Sequence, residues 1–172
     1  MAKKTGKRSA ASNDFLEPLA PTGVSASNVG TGRAFNNGAA TVTFSLPALS
    51  PAATSFTVTS SPGGYTGTGA SSPITVEGLQ SATAYTFTVT ATNAAGTSQA
   101  SAASASITAT TVPAQMSAPT PTAGVNQNSI AFSAAADGGS AITSFTVTGS
   151  DATTGSGATS PIVIGDTANT SQ

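Results

Sequence analysis

The chain has 172 residues with no cysteine, histidine or tryptophan, and charged side chains make up only 6% of it. Disulfides, thiol chemistry, histidine acid–base catalysis and metal sites built on His or Cys are therefore excluded. The formal net charge is −1, yet Lys3, Lys4, Lys7 and Arg8 are four of the five basic residues, so beyond residue 8 a single cation, Arg33, stands against six acids.

Residues 1–20 read as an extended basic docking arm. Its tip, Lys3 to Arg8, can attract nucleic acid, an anionic membrane or an acidic protein surface. No aromatic residue lies between these cations, which gives no nucleic-acid readout. No apolar run follows the basic start, and no stretch of about 18 apolar residues occurs, so a classical export signal and membrane insertion are not expected. In "NDFLEPLAP", Phe15 and Leu16 are the apolar anchors of the arm.

From Pro21 onward, short alternating runs rich in Thr and Val are divided by Gly, Pro, Ser and Asn, with no apolar period of 3.6. That pattern predicts an all-β sandwich or barrel. Strands are expected at 22–27, 40–46, 55–60, 74–77, 83–93 and 103–110. Between the third and fourth lies "SPGGYTGTG", Ser61 to Gly69, which reads as a flexible glycine-rich connection. No Gly-Lys-Ser/Thr follows, so it is not a phosphate loop. Tyr65 within it is the candidate surface contact. The fifth run places Tyr85, Phe87, Val89 and Ala91 on one face and threonines on the other. Phe44, Phe56, Leu79, Tyr85, Phe87 and Val89 are the structural core candidates.

An internal repeat sets the domain count. "TSFTVT" at Thr54 returns at Thr143, and "GTGASSPI" from Gly67 returns as "GSGATSPI" from Gly155. A repeat of about 90 residues suits a whole sandwich of about 100 residues rather than a solenoid unit. The expected domains are 21–112 and 118–172, joined by a linker at 113–117. Carrying the repeat forward from Pro161 places no counterpart of Tyr85 before Gln172, so the second sandwich is expected to be incomplete. Asp137, Asp151 and Asp166 fall in separate turns, where capping their own backbone explains them better than an acid–base or calcium site. No catalytic, metal-binding or cofactor-binding residue is assigned. The "NTS" at Asn169 fits a glycosylation sequon but carries little weight.

The series Leu79, Thr83, Tyr85, Phe87, Val89, Ala91, Asn93 and Gly96 closely resembles the fibronectin type III pattern through its sixth strand. "DGGSAITSFTVT", Asp137 to Thr148, resembles the bacterial and phage versions of that family, with Phe44 and Phe132 where the family carries tryptophan. The resemblance implies tandem fibronectin type III-like β-sandwiches of immunoglobulin-like type, non-enzymatic and without cofactors. A basic arm in place of a leader then leads to a virion structural protein, a head decoration or tail fibre component of a phage. It would be made in the host cytoplasm and displayed on the virion surface. Its partners would be capsid or tail proteins reached through the arm, and host-surface glycans reached through loops such as 61–72. No heptad sets the symmetry, which leaves room for a homo-oligomer. The alternative is a spacer or binding module of a bacterial extracellular or cell-surface protein.

Overall fold

A computed structural model describes residues 16–30 and 32–165, and every regular element among them is a β-strand. The first eight are β1 (Thr22–Asn28), β2 (Gly38–Ser45), β3 (Ser55–Ser61), β4 (Thr66–Gly69), β5 (Ile74–Leu79), β6 (Ala84–Asn93), β7 (Gly96–Thr97) and β8 (Ile107–Thr108). They form one sheet in the order β1-β2-β5 and a second in the order β4-β3-β6-β7, with β8 pairing β6. The remaining five are β9 (Thr120–Gly124), β10 (Gln127–Ala131), β11 (Phe145–Thr148), β12 (Thr154–Gly157) and β13 (Ile162–Gly165). These form the sheet β13-β10-β9 and the pair β11-β12. The chain is all-β and built as tandem β-sandwiches.

Period-two alternation decides which faces meet. Along the antiparallel pair β3 and β6, Phe56 lies opposite Ala91, Val58 opposite Val89 and Ser60 opposite Phe87. All six of these residues are buried, while the intervening threonine pairs Thr57–Thr90 and Thr59–Thr88 take the other face. The core also holds Phe44, Leu79 and Tyr85. Burying each large apolar side chain stabilises by roughly 1.5–3 kcal/mol. The tilted contact of Phe44 and Phe56, with ring centroids 4.9 Å apart, adds about 0.5–1.5 kcal/mol.

Two segments depart from the sequence expectation. The glycine-rich connection contains a strand, because β4 pairs with β3 from Phe56↔Gly69 to Thr59↔Thr66. Its glycines serve close approach: a Cβ on Gly67 would collide with the Thr75 carbonyl oxygen, and one on Gly69 would sit 3.1 Å from Ile74. Just beyond, the Ser72 hydroxyl accepts the Phe44 amide at 3.0 Å. The second copy repeats the clasp: a Cβ on Gly155 would crowd Ile164, and the Ser160 hydroxyl accepts the Phe132 amide at 2.9 Å. The repeated "GTGASSPI" text is thus the sequence of a clasp between β4 and β5, and of its counterpart between β12 and β13.

The strand expected at 103–110 is reduced to Ile107–Thr108. Upstream of it, a run of serines takes over the pairing with β6. The amides of Ser98, Ser101 and Ser104 donate to the carbonyls of Ala91, Val89 and Phe87 at 2.8–2.9 Å. Their hydroxyls accept the amides of the same three residues at 3.0, 2.9 and 3.1 Å. Each hydroxyl donates in turn to the next carbonyl at 2.8 Å. Three residues on one side therefore match two on the other, a stoichiometry that a backbone ladder alone cannot satisfy.

Contacts divide the chain into two compact units. One holds the described residues up to Asn28 with Ala40–Glu77 and Ala84–Ile107; the other holds Val29–Ala39, Gly78–Thr83 and Thr108 onward. In the second unit, residues 109–114 run through a hydrogen-bonded corner. The amides of Thr111, Val112 and Ala114 donate to the carbonyls of Gly138, Arg33 and Ala136 at 2.8–2.9 Å. The Thr111 and Ser81 hydroxyls meet at 2.6 Å, and Ser81 exchanges two further hydrogen bonds with Asn36.

The "DGG" turn is built for this corner. Gly138 has φ +72°, and a Cβ there would lie 2.5 Å from the Thr111 and Val112 carbonyl oxygens. Gly138→Ala combines an unfavourable positive φ with a backbone collision, so a cost of about 1–3 kcal/mol is expected. The expected result is faster amide exchange at Thr111 and Val112, with exchange in β3 unchanged; unaltered exchange at Thr111 would refute the role of this glycine.

Candidate functional site

The sequence-assigned docking residues Lys3, Lys4, Lys7, Arg8 and Phe15 lie outside the described residues. Leu16 is described, and the chain from Leu16 to Pro21 is laid along the first unit. The Asn93 side-chain amide donates to the Leu16 carbonyl at 2.8 Å, and the Leu19 amide donates to the Ser50 hydroxyl at 2.9 Å. Pro18 and Pro21 are buried. The side chains of Leu16 and Leu19 point outward, 60% and 48% exposed, beside Leu49 at 88%. These residues, with Glu17, Pro51 and Gln99, line a shallow open cavity of about 680 Å³. Isolated exposed leucines are ordinary, but three lining one hollow make an apolar shelf on a surface otherwise rich in hydroxyls.

Tyr65 is half-buried rather than fully exposed. Its ring meets Tyr85 edge-on, with centroids 5.9 Å apart and planes at 83°. The hairpin that carries it is pinned by Ser60. That residue's hydroxyl accepts the Tyr65 amide at 2.9 Å and donates to the Pro62 carbonyl at 3.1 Å, and its own amide donates to the Tyr65 carbonyl at 2.8 Å. Gly63 and Gly64 take φ values of 85° and 62°, and a Cβ on Gly63 would strike the Tyr65 ring. The half-buried ring is therefore held in a fixed turn.

Of the three turn aspartates, Asp137 and Asp151 cap their own backbone, and Asp166 lies outside the described residues. Asp137 accepts the Gly139 amide at 2.8 Å, and Asp151 accepts the Thr153 amide and hydroxyl at 3.1 and 2.6 Å. Among the described residues, no three His, Cys, Asp or Glu side chains gather into a group that could hold a metal ion. No helix among them is long and apolar enough to cross a membrane. Of the Leu16–Leu19–Leu49 shelf the sequence points to Leu16 alone, because Leu49 comes from a turn distant in sequence.

The sequence profile of the Fibronectin type III domain matches residues 19–107. No curated protein sequence matches the chain. Among solved structures it is similar to titin kinase and its flanking domains, at 26% identity over 53% of this chain and 17% of that one, with a TM-score of 0.43. It is also similar to the FN1–FN3 domains of chicken CNTN1, at 20% identity over 68% of this chain and 42% of that one, with a TM-score of 0.45. The chain thus spans well under two thirds of the length of either structure.

Proposed function

Because the chain belongs to the fibronectin type III family, whose domains serve as binding and spacer modules, we propose that it is a non-catalytic structural protein of a phage particle, a head decoration or a tail or fibre component. The observation that carries this reading is the concentration of docking features at one end of the sequence. Four of the five basic residues lie within residues 3–8, and the apolar shelf of Leu16, Leu19 and Leu49 follows them. Cations attract an acidic groove over a Debye length of about 8–10 Å, and apolar side chains then supply contact that salt does not screen. A capsid or tail protein with an acidic, partly apolar groove is the partner this chemistry suits. The resemblance of "DGGSAITSFTVT" to bacterial and phage members of the family supports the same setting, on the surface of a virion. The Tyr65 turn, held by Ser60, is the element best suited to weak contact with host-surface glycans.

Deleting residues 2–16 is expected to abolish incorporation into particles, measured by mass spectrometry of purified virions. Tyrosine fluorescence of the free chain should stay native, since both tyrosines lie in the first sandwich. Unchanged incorporation would overturn the docking reading. Recovery of the protein from a bacterial envelope, with particles unaffected, would point instead to a spacer of a cell-surface protein.

A further inference from the structure

Asn37 is the one asparagine of the chain that precedes a glycine, in "FNNGAA". In that pairing the side-chain amide carbon lies within reach of the next backbone nitrogen, and glycine carries no Cβ to hinder an attack. The fold leaves the pair accessible. Asn37 is exposed in the turn that precedes β2, its own amide donating to the Ala34 carbonyl at 2.9 Å. Asn128, which precedes the small residue Ser129, is instead fixed within a sheet, opposite Ile164 on one side and Ala123 on the other.

A cation stands at the same peptide unit. The Arg33 guanidinium donates through Nε to the Asn37 carbonyl oxygen at 2.6 Å. That carbonyl belongs to the peptide bond whose nitrogen is that of Gly38, so it takes up negative charge when the Gly38 N–H loses its proton. A charged donor already aimed at the oxygen favours this anion, as preorganised donors favour other developing oxyanions. Arg33 is itself held in place, because the Val112 amide donates to its carbonyl at 2.8 Å.

We propose that Asn37–Gly38 is a self-modification site, at which Asn37 deamidates in the folded chain with Arg33 promoting the step. Hydroxide takes the Gly38 N–H proton and the nitrogen attacks Asn37 Cγ. The bond from Cγ to the side-chain nitrogen then breaks, and ammonia leaves with a proton from water, which restores the hydroxide. A cyclic succinimide remains. Water opens one of its two ring C–N bonds and gives an aspartate or an isoaspartate at position 37, so the net exchange is one water for one ammonia. In the isoaspartate the new carboxylate is the former backbone carbonyl that Arg33 already contacts, which makes Arg33 its ion-pair partner. The same product adds one backbone atom between Asn36 and Gly38, where the packing has little slack. Asn36 exchanges two hydrogen bonds with Ser81, and a Cβ on Gly38 would lie 3.1 Å from Ala109 and from the Leu79 carbonyl oxygen. A longer backbone there loosens the Asn36–Ser81 pair. The proposal does not depend on the virion reading.

The test incubates the full chain and a synthetic peptide with the sequence of Gly32–Ala39 at one mildly alkaline pH until half of the peptide has converted. Fragment mass spectrometry should then find Asn37 converted to a similar extent, with Asn36 and Asn128 intact, and enzymatic methylation of isoaspartate should label the same fragment. Arg33→Gln should slow the conversion by about tenfold, the equivalent of one hydrogen bond from a charged donor near the low end of its range. In urea, where the contact is lost, parent and variant should react alike. Amide exchange at Val112 checks that the variant keeps its corner. If it does not, Arg33→Lys, which keeps a cation without the guanidinium fork, carries the comparison and should convert at a rate below that of the parent. Asn37 left intact when the peptide is half converted, or conversion spread equally over Asn36 and Asn128, would overturn the site. Equal rates for parent and variant in buffer, or a difference that persists in urea, would overturn the part assigned to Arg33.

Discussion

Replacing Ser98, Ser101 and Ser104 together by alanine is expected to unfold the first sandwich at much lower denaturant than the parent chain. Each hydroxyl accepts one amide of β6, from Ala91, Val89 or Phe87, and all six residues are buried. Alanine keeps the backbone donor of each serine but removes the acceptor, so three buried N–H groups lose their partners. A buried donor left unsatisfied costs about 1–3 kcal/mol, and three along one central strand approach the whole stability of an ordinary domain, about 5–15 kcal/mol. Tyrosine fluorescence is the natural measurement, because Tyr65 and Tyr85 are the chain's two tyrosines, there is no tryptophan, and both lie in the first sandwich. Single replacements should each shift the urea midpoint by the smaller amount, with Ser101→Ala the clearest because Val89 sits mid-strand. A triple variant with the parent midpoint would show that these hydroxyls are incidental to folding.

The serine run also marks the limit of what the sequence makes legible. β6 can be read directly because its side chains alternate with the period of a strand, and a tyrosine at its start and a glycine beyond its end bound it. Ser98, Ser101 and Ser104 recur every third residue, a spacing that matches neither helix nor strand, and only Ser104 falls within the strand expected at 103–110. The signal lies in the mismatch itself: a side-chain acceptor at each third residue lets a slower-rising chain keep step with a strand. β4 is illegible in the sequence for a related reason. Glycines in "YTGTG" lower strand propensity, yet there they are required by the approach of Thr75 and Ile74, a tertiary demand that overrides local preference. The same holds for Gly138, whose neighbours at Thr111 and Val112 lie far back along the chain. The Leu16–Leu49 shelf joins segments that only folding brings together, so the sequence offers one half of it. The turn caps, by contrast, are local: the carboxylates of Asp137 and Asp151 accept backbone amides two residues on, as their sequence neighbours suggest.

Phe44→Ala and Phe132→Ala are expected to differ sharply in cost although the two residues are copies of one position. Both donate their amide to a serine hydroxyl and both stack on the next phenylalanine at nearly the same distance. Phe44 is buried in a closed sandwich, and deleting its ring should cost about 3–5 kcal/mol through lost transfer energy and the cavity left behind. Phe132 is only half-buried and lines an open cavity of about 520 Å³ beside Phe145, so part of that transfer energy was never gained and no enclosed cavity forms on truncation. Its loss should cost about half as much or less, since the penalty scales with apolar area removed from water. For Phe44 the measurement is the tyrosine-detected urea midpoint; for Phe132 it is amide exchange in β10 and β13, which reports the second unit by itself. If the two substitutions cost the same, the difference in exposure between the two copies has no energetic meaning.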